Sequence, residues 1–215
     1  KKLLNYENKG QFGEYLIEYA ITNHNIPGNL YVFRNLYIPY RGGYAEIDLL
    51  MLHECGIFVF ESKNYGGWIF GRETDLNWTQ SFINGEKHYF YNPIRQNDTH
   101  IKALSQFLHL CPEQFYSCIV FSERCTLKAV PCATDRYIIL QRTNVLRWLR
   151  EHIQQMRSLY SWEQLTGWAN LLSTTADANT GTKAEHVEQI WKRFESQTCP
   201  FCGSKLVLRT GKYGE

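Results

Sequence analysis

Two apolar runs joined by a short turn constrain this chain most: Ile47-Asp48-Leu49-Leu50-Met51-Leu52 and Ile57-Phe58-Val59-Phe60-Glu61-Ser62-Lys63, with His53-Glu54-Cys55-Gly56 between them. Runs of this kind form strands buried on both faces, where a charge is costly unless it is paired or bound to a metal. Asp48, Glu61 and Lys63 nevertheless sit inside them. Side chains alternate along a strand, so Glu61 and Lys63 share one face. Folding the two runs about Glu54-Cys55 sets Asp48 opposite Glu61 and Glu46 opposite Lys63. Opposed Cβ atoms lie ~4.5–5.5 Å apart, and like charges at that distance repel. Two carboxylates so placed need a cation, a shared proton or water. Hard oxygen donors suit magnesium or manganese, which take one or two carboxylates and keep several waters. A structural reading is equally open: Glu46 paired with Lys63 and Asp48 with an arginine, on an edge or exposed hairpin. The turn is not a strong hairpin type, and a one-residue slip would carry Asp48 to the other face.

The flanking sequence supplies the rest of a mixed α/β core. Residues 8–24 place Phe12, Leu16, Ile17, Ala20 and Ile21 at helical spacing, and Ile26-Pro27-Gly28-Asn29 ends that helix. Residues 30–40, 44–52 and 57–63 read as three successive strands, followed by short aromatic strands at 68–71 and 78–82. Pro93 suits the first turn of a helix over 93–110. Residues 117–121 and 137–140 are apolar enough for buried strands. Helices are expected over 144–155, 162–172 and 183–195, with a Ser/Thr/Asp/Asn/Gly linker over 173–182.

Composition narrows the class without naming a function. The 215 residues carry 23 Lys and Arg against 21 Asp and Glu, a formal charge of +2. Such a balance lacks the footprint of a strongly basic nucleic-acid binder, although a basic cleft fits within a near-neutral whole. No apolar run approaches the ~18–20 residues of a membrane span, and no secretory signal opens the chain. The seven cysteines are an odd number, which points to a reducing compartment, the cytoplasm. Cys55, Cys111, Cys118, Cys125 and Cys132 are expected as buried apolar fillers. The chain opens on Lys1-Lys2 with no initiator Met, so it reads as a piece of a longer protein, and an upstream membrane anchor there is left open.

Asp48 followed on the next strand by Glu61-Ser62-Lys63 resembles the PD-(D/E)xK nuclease core. More narrowly, the chain is similar to the NERD (nuclease-related) domains. The matching stretches are Lys9-Gly10-Gln11-Phe12-Gly13-Glu14, Glu46-Ile47-Asp48-Leu49-Leu50, Phe58 through Gly67, Trp78-Thr79-Gln80 and Asn92-Pro93-Ile94-Arg95-Gln96. The resemblance covers roughly residues 8–125 and implies a restriction-endonuclease-like α/β core, a mixed sheet flanked by helices; with the last expected strand the core is bounded at 8–142, and the expected helices make a C-terminal extension over 143–195. The resemblance further implies a metal-dependent nuclease acting on DNA, RNA being left open, with magnesium or manganese at the site. Asp48, Glu61 and the Ser62 carbonyl would hold the cation, with Glu14 reaching it directly or through water. Lys63 would orient or help deprotonate the attacking water and stabilise phosphate charge, and Gln96 would support the cluster or touch the phosphate. A nucleic-acid-binding or partner-docking module that keeps this fold without turnover is the alternative.

Other residues admit two readings. His100 follows Gln96 on the same helix face and, with Arg41 and Arg95, is a candidate nucleic-acid contact. Arg72, Lys87 and Lys102 read as cleft residues or as ordinary solvated charges. Trp68, Trp78, Tyr89 and Tyr91 either stack on bases or pack the core and sheet edges. Over 196–215, Cys199-Pro-Phe-Cys202-Gly resembles the first half of a topoisomerase-type C4 zinc finger. No further Cys or His follows, and two thiolates do not close a tetrahedral site, so zinc is expected only in a longer parent with the complete finger.

Overall fold

Near-continuous apolar runs along the central strands form a sheet covered on both faces in the computed structural model, which describes residues 9–178. The elements run α1 (Lys9–Asn23), β1 (Leu30–Tyr40), β2 (Gly43–His53), β3 (Gly56–Lys63), β4 (Gly67–Phe70), β5 (Asn77–Ser81), β6 (Lys87–Tyr91), α2 (Pro93–Leu108), β7 (Phe115–Phe121), β8 (Cys125–Ala129), β9 (Tyr137–Gln141), α3 (Val145–Gln155) and α4 (Trp162–Ala178). They form two mixed sheets, a five-stranded one in the order β1-β2-β3-β7-β9 and a four-stranded one in the order β6-β5-β4-β8. In the larger sheet β1, β2 and β3 are antiparallel, while β3, β7 and β9 run parallel.

Each face of the large sheet buries its own cluster. Leu50, Leu52, Ile57 and Val59 pack with Ile101 and Leu104 of α2 and with Leu165 and Leu172 of α4. Leu49, Met51, Phe58 and Phe60 pack with Ile17 and Ile21 of α1 and with Leu149 and Ile153 of α3. This period-two division is what the continuous apolar runs imply for doubly covered strands. A third cluster ties the small sheet to the large one through Ile69, Trp78, Ile94, Ile119 and Phe121.

Several expectations shift. β6 and β8 were not expected as strands, and with them comes the second sheet; Lys87–Tyr91 and Cys125–Ala129 look weak alone and pair only through their neighbours. Strand β9 is half-buried rather than buried, because it lies at the sheet edge. Helix α4 runs through Ala178, so the first part of the expected linker is helical. Of the five cysteines expected inside, Cys55, Cys118 and Cys125 are buried, but Cys111 and Cys132 are exposed, both on connecting segments. The helix expected at 183–195 and the pair Cys199 and Cys202 lie outside the described residues. Among the described residues no helix is long and apolar enough to cross a membrane.

Candidate active site

Strand β3 ends where helix α2 begins to cross it, and four polar side chains meet there. Lys63 Nζ lies 2.7 Å from Glu61 Oε1 and donates to Gln96 Oε1 at 2.9 Å. Glu61 is 1% exposed and the Lys63 side chain 14%. His100 Nδ1 stands 3.3 Å from Glu61 Oε2, without the alignment of a hydrogen bond. Gln96 and His100 share a helix face because they are four residues apart. The start of that helix is fixed by Asn92, whose side chain accepts from the Ile94 N–H at 3.0 Å and donates to the carbonyls of Arg72, Glu73 and Asp75. One buried amide thus sets both the helix origin and the loop beside it.

Asp48 approaches from β2. The β2–β3 ladder has the expected register from His53↔Gly56 to Leu49↔Phe60 and ends there. Beyond it, the Ser62 N–H donates to Asp48 Oδ2 at 2.8 Å, so a side chain takes the place of a ladder bond. The core pattern also changes phase at this residue: Ala45 and Ile47 before it, and Leu50 and Leu52 after it, belong to one cluster. Opposite on β1, Asn35 adopts a left-handed φ of 56°. Simple alternation cannot carry across this break. Glu46 is not opposite a paired Lys63: Tyr37 donates to Glu46 Oε1 at 2.6 Å, and Lys63 is held by Glu61. The structural alternative of a Glu46–Lys63 pair is thereby overturned.

Helix α1 brings Glu14 from the other side. A Cβ on Gly13 would meet Ser62 Oγ at 3.1 Å and Asn64 Cβ at 3.2 Å, so the absent side chain lets the helix approach the end of β3. Glu14 is near enough for its charge to act on both Asp48 and Tyr37.

Among the described residues, burial and two neighbouring carboxylates act against the charge on Asp48. Desolvation, then the charges of Glu61 and Glu14, push the Asp48 carboxyl well above the usual carboxylate range, against the Ser62 N–H and the Lys63 ammonium. Burial works against the Lys63 ammonium, but the charge and hydrogen bond of Glu61, with smaller help from Tyr65 and Asp48, hold its pKa above that of free lysine. In this arrangement Lys63 is the donor to both Glu61 and Gln96. Burial lowers the His100 pKa against the pull of Glu61, leaving a neutral ring.

Could this donor set hold a metal? Glu61 Oε2 is buried and accepts no hydrogen bond. Glu61 and Glu14 both act against the charge on Asp48, and Lys63 favours it. Among the described residues, however, no three His, Cys, Asp or Glu side chains converge as a closed metal site. The set fits a hard divalent ion that keeps several waters and takes one or two carboxylates, and it does not fit an all-protein cage.

The remaining candidates separate. Arg41 lies at the β1–β2 turn with its guanidinium 5.1 Å from the Tyr40 ring. Arg95 Nη2 donates to the Thr74 carbonyl at 2.8 Å and braces a loop. His100 is buried against Glu61, which is not the placement of a nucleic-acid contact. Trp78 is wholly buried, whereas Trp68, Tyr89 and Tyr91 are exposed. Sequence reasoning missed Tyr37 and Asn97, the latter donating to the Val59 carbonyl and Ser117 Oγ at 2.9 Å each, and read Glu46 only as a partner of Lys63. For Glu46 the available signal was its position just before Asp48 on a strand facing Tyr37.

Comparison with known proteins gives two matches. Residues 9–122 match the family model of the NERD, nuclease-related domain. An uncharacterized protein of Bacillus anthracis is 39% identical over 127 residues, covering 57% of each chain. The chain thus spans little more than half of that relative. No solved structure matches the chain.

Proposed function

Because the chain belongs to the NERD, nuclease-related family, we propose that it is a divalent-metal-dependent nuclease hydrolysing phosphodiester bonds in DNA. The observation that carries this reading is the Lys63 ammonium held between Glu61 and Gln96, beside a buried Asp48 that receives the Ser62 N–H. Asp48, Glu61 and the Ser62 carbonyl would hold magnesium or manganese, with Glu14 at the edge of the set. Bound there, the ion would polarise a phosphoryl oxygen and lower the pKa of a coordinated water. Lys63 supplies a fixed positive charge toward charge developing on the phosphate, and Gln96 keeps that ammonium aimed. Tyr37 holds Glu46 by its hydroxyl and so keeps a further carboxylate from moving into the cluster.

The test is cleavage of supercoiled plasmid and of single- and double-stranded oligonucleotides in magnesium and in manganese. Nicking or degradation that vanishes with chelator and with Lys63→Ala supports the reading. Intact DNA in both metals, with the metal bound, overturns it in favour of a binding module on the same fold.

A further inference from the structure

The small sheet presents a face that the nuclease chemistry leaves unused. Register places Trp68 opposite Ser81, Phe70 opposite Thr79, Thr79 opposite Tyr89, Asn77 opposite Tyr91 and Ser81 opposite Lys87. Trp68, Phe70, Tyr89 and Tyr91 therefore point to one side, away from Ile69, Trp78 and Phe90, which pack inward. Trp68, Phe70 and Tyr91 are each 37% exposed and Tyr89 72%. Lys128, at the β8 irregularity, stands with its ammonium 5.8 Å from the Trp68 ring, on the same side. None of the strands β4, β5, β6 and β8 contains an Asp or Glu, while Lys87 and Lys128 supply positive charge.

We propose that this face is a stacking platform for single-stranded DNA. The proposal deepens the nuclease reading and rests on it for the choice of DNA. Four rings set on one side of a sheet offer flat faces on which bases stack without regard to sequence. The lysines, on strands that carry no carboxylate of their own, complement a phosphate chain. Thr79, Thr126 and Asn77 add polar groups between the rings. A duplex hides its base faces, so the platform selects unpaired strands. Placement suits delivery to the site: β4 follows Lys63 after the short link Asn64–Gly66, and β6 passes through Asn92 into the helix that carries Gln96 and His100. Gln80 donates to the Gly66 carbonyl at 2.8 Å and Arg124 to the Asn64 carbonyl at 2.8 Å, bracing that link.

The test is fluorescence anisotropy with the full chain in chelator, where no cleavage occurs, using labelled oligo-dT, the matching duplex and oligo-rU. Expected is tighter binding of oligo-dT than of duplex, weakened about tenfold or more by Trp68→Ala with Tyr89→Ala. Tyr89→Phe keeps the ring and retains binding. Lys128→Gln lowers the slope of log affinity against log salt by about 0.7. Far-ultraviolet circular dichroism verifies that the exposed-site variants remain folded. Equal binding by the double variant, or no preference for oligo-dT over duplex, overturns the platform. Tighter binding of oligo-rU overturns the assignment to DNA. Cleavage of duplex with unaltered single-strand binding in the variants sinks the platform alone. Loss of single-strand binding in a protein that cleaves nothing sinks the nuclease reading alone.

Discussion

Lys63 and Glu61 lie two residues apart on one face of β3 and form a 2.7 Å ion pair that is nearly removed from solvent. The pair is expensive to break, since a carboxylate that is 1% exposed would lose its cation. Lys63→Met is expected to destabilise the protein by about 3–5 kcal/mol, the usual cost of breaking a buried pair. Adding Glu61→Gln recovers a large part of that loss, because no uncompensated charge is left. Urea denaturation of both single variants and the double variant measures the difference.

Asp48 carries the opposite expectation. Its raised pKa means that the folded protein prefers the protonated acid. The stability this gives is fully present below the unfolded value of about 3.9 and is lost as pH rises through the folded value. Asp48→Asn removes that loss while keeping an oxygen for the Ser62 N–H. It is expected to raise the metal-free melting temperature, increasingly so toward neutral pH. Magnesium should stabilise the native protein and not the variant. A series of melts against pH, with and without magnesium, tests both parts.

Asn92 caps α2 and donates to three carbonyls from a fully buried position. Asn92→Ala removes the cap, worth about 0.5–2 kcal/mol, and strands those carbonyls as well. Asn92→Asp keeps the cap on Ile94 but sets a carboxylate against the carbonyl oxygens. The Asp variant is expected to be destabilised at neutral pH and partly rescued in acid, where the side chain regains a donor. Chemical denaturation at two pH values separates the two substitutions.

Gly67 joins the large sheet to the small one with φ at 74°, and a Cβ there would meet the Ser81 carbonyl at 2.5 Å. Gly67→Ala combines a disfavoured backbone with a clash against main chain, so a loss of more than about 1 kcal/mol is expected. Because the clash falls between β4 and β5, oligo-dT affinity should drop along with stability. Gly42→Ala, at a positive φ with nothing within 4 Å of the added carbon, serves as the comparison for backbone strain without a clash.

The sequence by itself determined what local chemistry can determine. Strands β1 to β3 and the start of α2 follow from apolar period, turn residues and Pro93, all of which act within a few residues. The hairpin register was legible for the same reason, as was the shared face of Glu61 and Lys63. Tertiary structure alone decided the rest. Strand β7 slots in parallel beside β3, pairing Glu61 with Ile119 after β4, β5, β6 and α2 have intervened, and no short-range signal specifies that partner. The phase change at Asp48 falls where the left-handed Asn35 interrupts the facing strand. His100 turned inward to Glu61, and Tyr37 claimed Glu46, because those helix and strand faces meet only after packing. Trp78 and Trp68 look alike in sequence, yet one fills the core and the other lies on the surface. The side of a sheet that meets another layer is a property of the assembly, since burial is set by what comes to cover a strand and not by the strand itself.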